Sequence, residues 1–105
     1  MPGEFSELGR FTDVALLILL SLADSPKHGY AMIEDIARFS GTTFEAGTLY
    51  GALLRLERKG WIESLPAEDR RHPYRLTGAG ALVLRQRLAT LRQIVATGEE
   101  RQAFA

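Results

Sequence analysis

Residues 45–59 read EAGTLYGALLRLERK and residues 60–65 read GWIESL, and this stretch decides the fold. Leucine and alanine recur in its first part at the spacing of one helix face, which predicts a helix over residues 45–59. Gly60 follows, in the position just past a helix end where glycine is common. Residues 61–65 then favour a short strand. The stretch therefore predicts a helix that leads directly into a β-strand.

Downstream of this strand, the sequence predicts a hairpin and a long helix. Residues 66–73 form a polar, charged tip, and residues 74–76 read YRL. Two short strands joined by a charged loop predict a β-hairpin. Thr77 then caps a helix that we expect to run to about Thr97, with Gly98 and a charged tail beyond it.

Upstream, an apolar run starts at Val14, after Thr12 and Asp13. This order predicts a capping hydroxyl followed by an acid near the positive end of a first helix, which Pro26 would end near residues 24–26. The helix is apolar nearly all the way round, so it must be covered on more than one side. A second subunit is a plausible source of that cover.

Another helix is predicted over residues 29–39, where apolar side chains recur at helical spacing. Its predicted buried residues are Tyr30, Ile33, Ile36 and Ala37. The resulting order is three helices, a hairpin and a long helix. This is a mainly α fold with a small β-hairpin, which matches a winged helix-turn-helix plus a long C-terminal dimerisation helix.

We accordingly divide the chain into four parts. Residues 1–11 are an N-terminal arm, residues 12–76 a winged helix-turn-helix DNA-binding domain, residues 77–97 a dimerisation helix and residues 98–105 a charged tail. The 105 residues suffice for one domain of ordinary size.

Composition excludes several classes of protein. The chain has no cysteine, which rules out disulfide scaffolds, cysteine nucleophiles and thiolate metal sites. Its two histidines, His28 and His72, are far apart in sequence, so we expect no metal and no cofactor. No catalytic triad, metal-ligand spacing or glycine-rich phosphate loop is present, so we expect no enzyme.

Charge and hydropathy narrow the remaining classes. Thirteen basic and thirteen acidic residues balance, which disfavours nucleic-acid binding by bulk charge but permits a local basic patch. The longest apolar run falls short of the ~18–20 residues that cross a bilayer. The N-terminal residues lack a basic segment and a cleavage site. We therefore expect a cytoplasmic protein without a membrane partner.

The face of the third helix opposite its leucines is the first candidate DNA contact. Two glycines inside a helix cost about 1 kcal/mol each relative to alanine. A groove wall that approaches the backbone closely would explain them, with neighbouring polar side chains reaching phosphates or base edges. The alternative is a solvated face whose cations favour the negative helix end. The candidate residues are Gly47, Thr48, Tyr50, Gly51, Arg55 and Arg58.

The hairpin tip is the second candidate. Arg70 and Arg71 lie where a wing would grip the minor groove or its phosphates. Alternatively, the tip is a solvated loop in which Glu68 and Asp69 neutralise these arginines. His72 reads as a surface loop histidine.

The last helix carries a heptad pattern. Apolar positions from Ala81 to Val95 follow Thr77 at spacings of four and three, which favours pairing between two subunits. A helix lying on its own domain is the alternative. With the over-apolar first helix, the predicted homodimer interface comprises Leu16, Leu20, Leu84, Leu88, Leu91 and Val95.

These segments together resemble the PadR family of bacterial transcriptional regulators. The resemblance covers about residues 12–95 and rests on PKHGY at 26–30, GTLYGAL at 47–53, LERKGWI at 56–62 and YRLTGAG at 74–80. It implies a cytoplasmic, dimeric winged-helix repressor that binds an inverted repeat in double-stranded DNA and is released by a small molecule. It also implies that Tyr30 and residues 48–50 lie at or near the DNA, with Arg70 and Arg71 in the wing.

The chain departs from the family pattern in three places. Gly51 stands where many members have proline, and Glu45 and Ala46 stand where Ser-Pro is frequent. A carboxylate there would repel phosphate or accept from a cytosine amino group. The last helix lacks the tryptophan with which some compact members bind flat aromatic compounds, and Trp61 reads as a core residue. The competing functional hypothesis is a winged-helix protein-interaction module that does not bind DNA.

Overall fold

The computed structural model of the protein describes residues 13–67 and 69–103. Within these residues, four helices and one hairpin follow in the predicted order, which confirms the mainly α fold. The elements are α1 (Val14–Leu22), α2 (Gly29–Ser40), α3 (Ala46–Arg58), β1 (Ile62–Ser64), β2 (Tyr74–Leu76) and α4 (Gly78–Gln102). The predicted N-terminal arm, together with Thr12, Glu68 and the last two residues, lies outside the described part.

Helix α1 is the centre of the core. It packs against α2, α3, α4 and β2, and Leu17, Ile18 and Leu19 are at most 2% exposed. The protomer therefore covers most of this helix itself, and cover of its remaining surface by a second subunit stays a prediction. The N-cap also differs from the prediction: the Asp13 carboxylate itself caps the helix, accepting a hydrogen bond from the Leu16 N–H at 3.1 Å.

Helix α2 buries a different set of side chains from the one predicted. Met32 and Ile36 are buried, whereas Tyr30 is 61% exposed, so its assignment to the core was wrong. Residues two apart on a helix differ by about 200° around its axis, so burying Met32 turns Tyr30 outward. Helix α2 ends at Ser40, and Gly41 adopts the left-handed conformation (φ 72°) that closes many helices.

Helix α3 and the hairpin follow the prediction closely. The leucine and alanine face of α3 is buried, and Gly60 has φ 77°, which turns the chain into β1. Strands β1 and β2 are antiparallel, with Ile62 opposite Leu76 and Ser64 opposite Tyr74. Trp61 is half-buried at the edge of the core and not inside it, with the Lys59 ammonium 4.7 Å from its ring centre.

The start of α4 is held against the turn that joins α3 to β1. The Thr77 hydroxyl caps α4 by accepting from the Gly80 N–H at 3.0 Å, and it donates to the Gly60 carbonyl at 2.6 Å. A Cβ on Gly80 would lie 1.9 Å from the Trp61 carbonyl oxygen. Only glycine at position 80 therefore permits α4 to approach the backbone at the start of β1 so closely.

Helix α4 is longer than predicted. It continues through Gly98 to Gln102, so the helix boundary at Thr97 was wrong. Glu99, Glu100 and Arg101 are good helix formers and offset the cost of about 1 kcal/mol that one glycine imposes. At about 1.5 Å per residue its 25 residues span roughly 37 Å. None of the described helices is long and apolar enough to span a bilayer.

Candidate functional site

The exposed face of α3 carries the predicted contact residues of that helix. Gly47, Thr48, Tyr50, Arg55 and Arg58 are exposed, and Gly51 is half-exposed. A Cβ on Gly47 would meet nothing within 4 Å, and one on Gly51 would lie 3.7 Å from Arg55 Nη1. Nothing in the protomer therefore requires glycine at either position, and an approaching ligand remains a reason for the bare backbone.

One side chain joins this face to the start of α2. The Tyr50 ring lies over Gly29, where a Cβ would be 2.5 Å from Tyr50 Oη. Tyr50 nevertheless remains 44% exposed. The ring thus bridges the two helices of the helix-turn-helix while presenting an edge to solvent.

The wing, which consists of β1, β2 and the loop between them, is attached to the rest of the domain by backbone hydrogen bonds. The Lys27 N–H donates to the Tyr74 carbonyl at 3.1 Å, and the Tyr74 N–H donates to the Lys27 carbonyl at 2.9 Å. This pair adds the segment before α2 to the hairpin as a third, one-residue strand. The wing is therefore fixed in position relative to the start of α2.

The wing tip presents its arginines in a constrained loop. The Leu65 N–H donates to the Pro73 carbonyl at 2.8 Å and closes the loop. Asp69 and Arg70 both have positive φ, 48° and 67°, a conformation that asparagine, aspartate and glycine adopt far more readily than arginine. Arg70 and Arg71 are exposed. The backbone at Arg70 fixes the direction in which that side chain leaves the wing.

Among the described arginines, Arg38, Arg75 and Arg87 form ion pairs, whereas those on α3 and at the wing tip, and Arg85, Arg92 and Arg101 of α4, do not. Arg75 pairs with Glu63 across the hairpin, and Arg87 pairs with Asp13. Within residues 13–67 and 69–103 no ion pair involves the arginines on α3 and at the wing tip, which are Arg55, Arg58, Arg70 and Arg71. These four positive charges are therefore available to an anionic partner, even though the chain as a whole is neutral.

A cleft of about 350 Å³ between α2, α3 and the wing brings four of the nine predicted DNA-contact residues together. These are Tyr30, Tyr50, Arg70 and Arg71. The other five lie along α3 outside this cleft. The cleft is completed by His28, His72 and Tyr74. We name it the wing cleft.

Sequence reasoning did not assign His28 and Tyr74 to this site. Burial, with Glu57 and Tyr50 nearby, raises the pKa of Tyr74, so its phenol stays protonated. His28 precedes α2, and its Nδ1 is buried with no hydrogen-bond partner in the described part of the chain. The one available signal was adjacency, since His28 stands two residues before Tyr30, which was assigned to the DNA surface.

The predicted interface residues fall into two sets. Leu16 and Leu84 are 3% and 6% exposed in the protomer's own core, so they have little surface left for a partner. Leu20, Leu88 and Leu91 are half-buried against that core, and Val95 is 57% exposed. Leu82 and Ile94, which were not predicted, are 52% and 60% exposed. The exposed apolar surface of α4 therefore lies beside the predicted heptad positions as well as on them.

A second cavity, of about 390 Å³, lies between α1 and α4. Its lining combines Leu19, Val83 and Trp61 with the charged side chains of Lys59 and of the Asp13–Arg87 ion pair. Within the described part of the chain, no group of three or more acidic or histidine side chains is placed to hold a metal ion.

Comparison with known proteins gives both family and structural matches. Residues 18–86 match the transcriptional regulator PadR-like family. An uncharacterised 37.1 kDa protein in transposon Tn4556 of Streptomyces fradiae is 44% identical over 75 residues, which cover 71% of this chain and 22% of that protein. The chain thus spans about a fifth of the length of this curated relative.

Two solved structures show the same fold over most of their length. A PadR family transcriptional regulator from Eggerthella lenta is 30% identical, with a TM-score of 0.75 over 94% of this chain and 88% of the other. A PadR family transcription regulator from Clostridium difficile is 26% identical, with a TM-score of 0.76 over 83% of this chain and 95% of the other.

Proposed function

Because the chain belongs to the PadR-like family of transcriptional regulators, we propose that it binds double-stranded DNA as a homodimeric repressor of an inverted-repeat operator and is released by a small-molecule effector. The observation that carries the DNA-binding proposal is the set of arginines on α3 and the wing tip that form no ion pair with any described residue. Arg70 and Arg71 line the wing cleft, where α3 and the wing meet, and Arg55 and Arg58 lie farther along α3 outside it. Phosphate contacts from such side chains position a protein on the duplex.

In this proposal α3 enters the major groove and the wing reaches the adjacent backbone or minor groove. Gly47 and Gly51 let the groove wall approach α3, while Thr48 and Tyr50 donate to phosphates. Arg55 and Arg58 reach a phosphate or a base edge. Tyr30, Arg70 and Arg71 hold the backbone where it passes the wing cleft.

The dimer forms through α4. The last three turns of this helix extend beyond the core, and Ile94 and Val95 expose apolar surface there. A helix in that situation gains stability by pairing with a second copy, and twofold homodimers are the commonest oligomers. Leu20, Leu88, Leu91 and Val95 are the predicted interface residues that retain surface for this contact.

The cavity between α1 and α4 is the proposed effector site. Its volume is within the usual range for small ligands, and it places an aromatic ring beside cationic groups. Trp61 is the single tryptophan of the chain, so its fluorescence reports directly on occupancy. A ligand that quenches Trp61 and also lowers DNA affinity would support the effector proposal, whereas one that only quenches it would not.

Selection of bound sequences from a random duplex library tests the central proposal. We expect purified protein at about 150 mM salt to enrich an inverted repeat with half-sites about 10 bp apart. The matched control carries Arg70→Ala and Arg71→Ala, and we expect it to enrich nothing. A folded wild-type protein that also enriches nothing contradicts DNA binding and favours the protein-interaction alternative.

A further inference from the structure

The side chains that line the wing cleft are all hydrogen-bond donors. They are two histidines, three tyrosines and two arginines. No carboxylate stands among the described residues that line it. The first N–H groups of α2 also receive no side-chain cap. Such a concentration of donors around a space of about 350 Å³ suits an anion with several acceptor oxygens.

His28 contributes to two neighbouring cavities. It lines the wing cleft and also the adjoining cavity, which it shares with Asp69, Arg71 and Pro73. Its Nδ1 is buried and has no hydrogen-bond partner among the described residues. The tautomer protonated on Nε2 leaves only a lone pair at Nδ1, which costs less than a buried N–H without an acceptor. The ring can then donate a hydrogen bond to a ligand through Nε2–H.

The charged and titratable neighbours of His28 define its surroundings. From the wing these are Asp69, Arg70, Arg71, His72 and Tyr74. From the helices they are Tyr30 and Tyr50. Asp69 lines the adjoining cavity and not the wing cleft, so the cleft itself faces two cations and no described anion.

We infer that the wing cleft binds one phosphate group and that His28 is a ligand of it, donating through Nε2 beside Arg71. This inference rests on the proposed function, because the phosphate we favour is a phosphodiester of the DNA backbone held between the helix-turn-helix and the wing. Free inorganic phosphate offers the same chemistry, and the test distinguishes the two sources.

The test compares the affinity of His28→Phe, His28→Gln and Arg71→Ala for a fluorescent duplex carrying the selected site. Phenylalanine keeps a ring but removes the donor, whereas glutamine restores a donor near Nε2. We expect His28→Phe to bind about tenfold more weakly with an unchanged salt slope, and His28→Gln to recover most of that loss. Arg71→Ala should weaken binding and reduce the salt slope by about one. Unfolding midpoints establish that each variant is folded.

A duplex series with single neutral methylphosphonates then locates the contact. One position in each half-site should weaken wild-type binding by a larger factor than it weakens binding by His28→Phe, which keeps only the Arg71 contact there. Equal binding by wild type and His28→Phe to every duplex, with no phosphate-dependent shift of the His28 ring signals in NMR spectra, overturns the inference and leaves DNA binding intact. Equal duplex binding with such a shift in wild type supports a phosphate site for the free ion instead. Wild-type protein that binds neither duplex nor phosphate overturns both the inference and the proposed function.

Discussion

Tyr50 of α3 and Gly29 of α2 pack so closely that a Cβ on Gly29 would lie 2.5 Å from the tyrosine hydroxyl oxygen. The glycine thus provides the space in which the ring lies, and the ring in turn lines the wing cleft. The two residues belong to different sequence motifs, HGY and TLY, and this contact gives a physical reason for both to be present in one chain.

Gly29→Ala should therefore move Tyr50 more than it destabilises the fold. The obstructing atoms belong to the end of a half-exposed side chain, which can rotate away, so we expect the free energy of unfolding to change by less than about 1 kcal/mol. DNA affinity should fall about tenfold because the displaced ring leaves the cleft. Fluorescence anisotropy with a labelled duplex measures this loss. In a Tyr50→Ala background, Gly29→Ala should have no additional effect; additive losses would show that the two residues act separately.

Gly80→Ala, unlike Gly29→Ala, should lower the free energy of unfolding strongly. Its Cβ would overlap the Trp61 carbonyl, a backbone atom that cannot move without displacing β1. We expect a loss of about 2 kcal/mol or more, which corresponds to a fall in melting temperature of roughly 10 °C in a domain of this size. Gly78→Ala is the matched control, since a Cβ there meets nothing within 4 Å. Equal melting temperatures for the two variants would contradict the close approach of α4 to β1.

Gly51→Ala tests whether the backbone of α3 meets DNA. In the free protein the added methyl group makes ordinary contact with Arg55, so helix propensity alone should stabilise the domain by up to about 1 kcal/mol. If the groove wall lies against this face, DNA affinity should nevertheless fall. Gly98→Ala, in the exposed part of α4, should stabilise the protein to a similar extent with unchanged affinity. Unchanged affinity in both variants would argue that α3 does not approach DNA at Gly51.

Asp13 should contribute stability that depends on pH. Burial alone would raise the pKa of Asp13, but the hydrogen bond from Arg87, the Leu16 N–H and the charge of Arg87 outweigh it and hold the pKa below its ordinary value. The carboxylate therefore stabilises the fold above the unfolded-state pKa of about 3.9, and this contribution is lost as the pH falls through the lower folded-state pKa.

Two substitutions at Asp13 separate the ion pair from the cap. Asp13→Asn keeps a capping oxygen but loses the ion pair, which for partly exposed groups contributes at most about 1 kcal/mol. Asp13→Ala loses both and should cost about 1 kcal/mol more. Urea unfolding at neutral and acidic pH measures the differences. The gap between wild type and Asp13→Asn should close in acid, and a gap that stays constant would exclude a role for the charge.

The α4 dimer is tested most cleanly by Ile94→Asp with Val95→Asp. Both side chains are more than half exposed in the protomer, so the substitutions should leave its fold intact and place unpaired charges in a twofold interface. We expect sedimentation to change from dimer to monomer, and DNA affinity to fall with it. Glu99→Ala and Glu100→Ala, farther along the exposed helix, serve as the control. An unchanged sedimentation coefficient would remove α4 residues 94–95 from the interface.

Sequence patterns predicted the elements of this fold well because each element carries a local signal. The leucine spacing in α3, Gly60 after it and Thr77 before α4 depend on neighbours within a few residues. Apart from the end of α4, which was predicted at about Thr97 and lies at Gln102, the errors concern long-range packing. Which side of α2 holds Tyr30 depends on how four helices meet, and so does the extent to which α1 is covered by its own domain. The wing cleft was only partly predictable for the same reason, since His28 and Tyr74 join it through the pairing of Lys27 with Tyr74.

That pairing also bears on the kinetics of DNA recognition. A hairpin held to the helix-turn-helix by two backbone hydrogen bonds is ordered when the domain folds, so little conformational entropy remains to be lost on the duplex. The backbone amide hydrogens of Lys27 and Tyr74 should then exchange with solvent only when the domain opens, and therefore slowly. DNA binding is then the association of two preformed surfaces. Its rate constant should depend on diffusion and on salt concentration, with no slow step in which the wing rearranges.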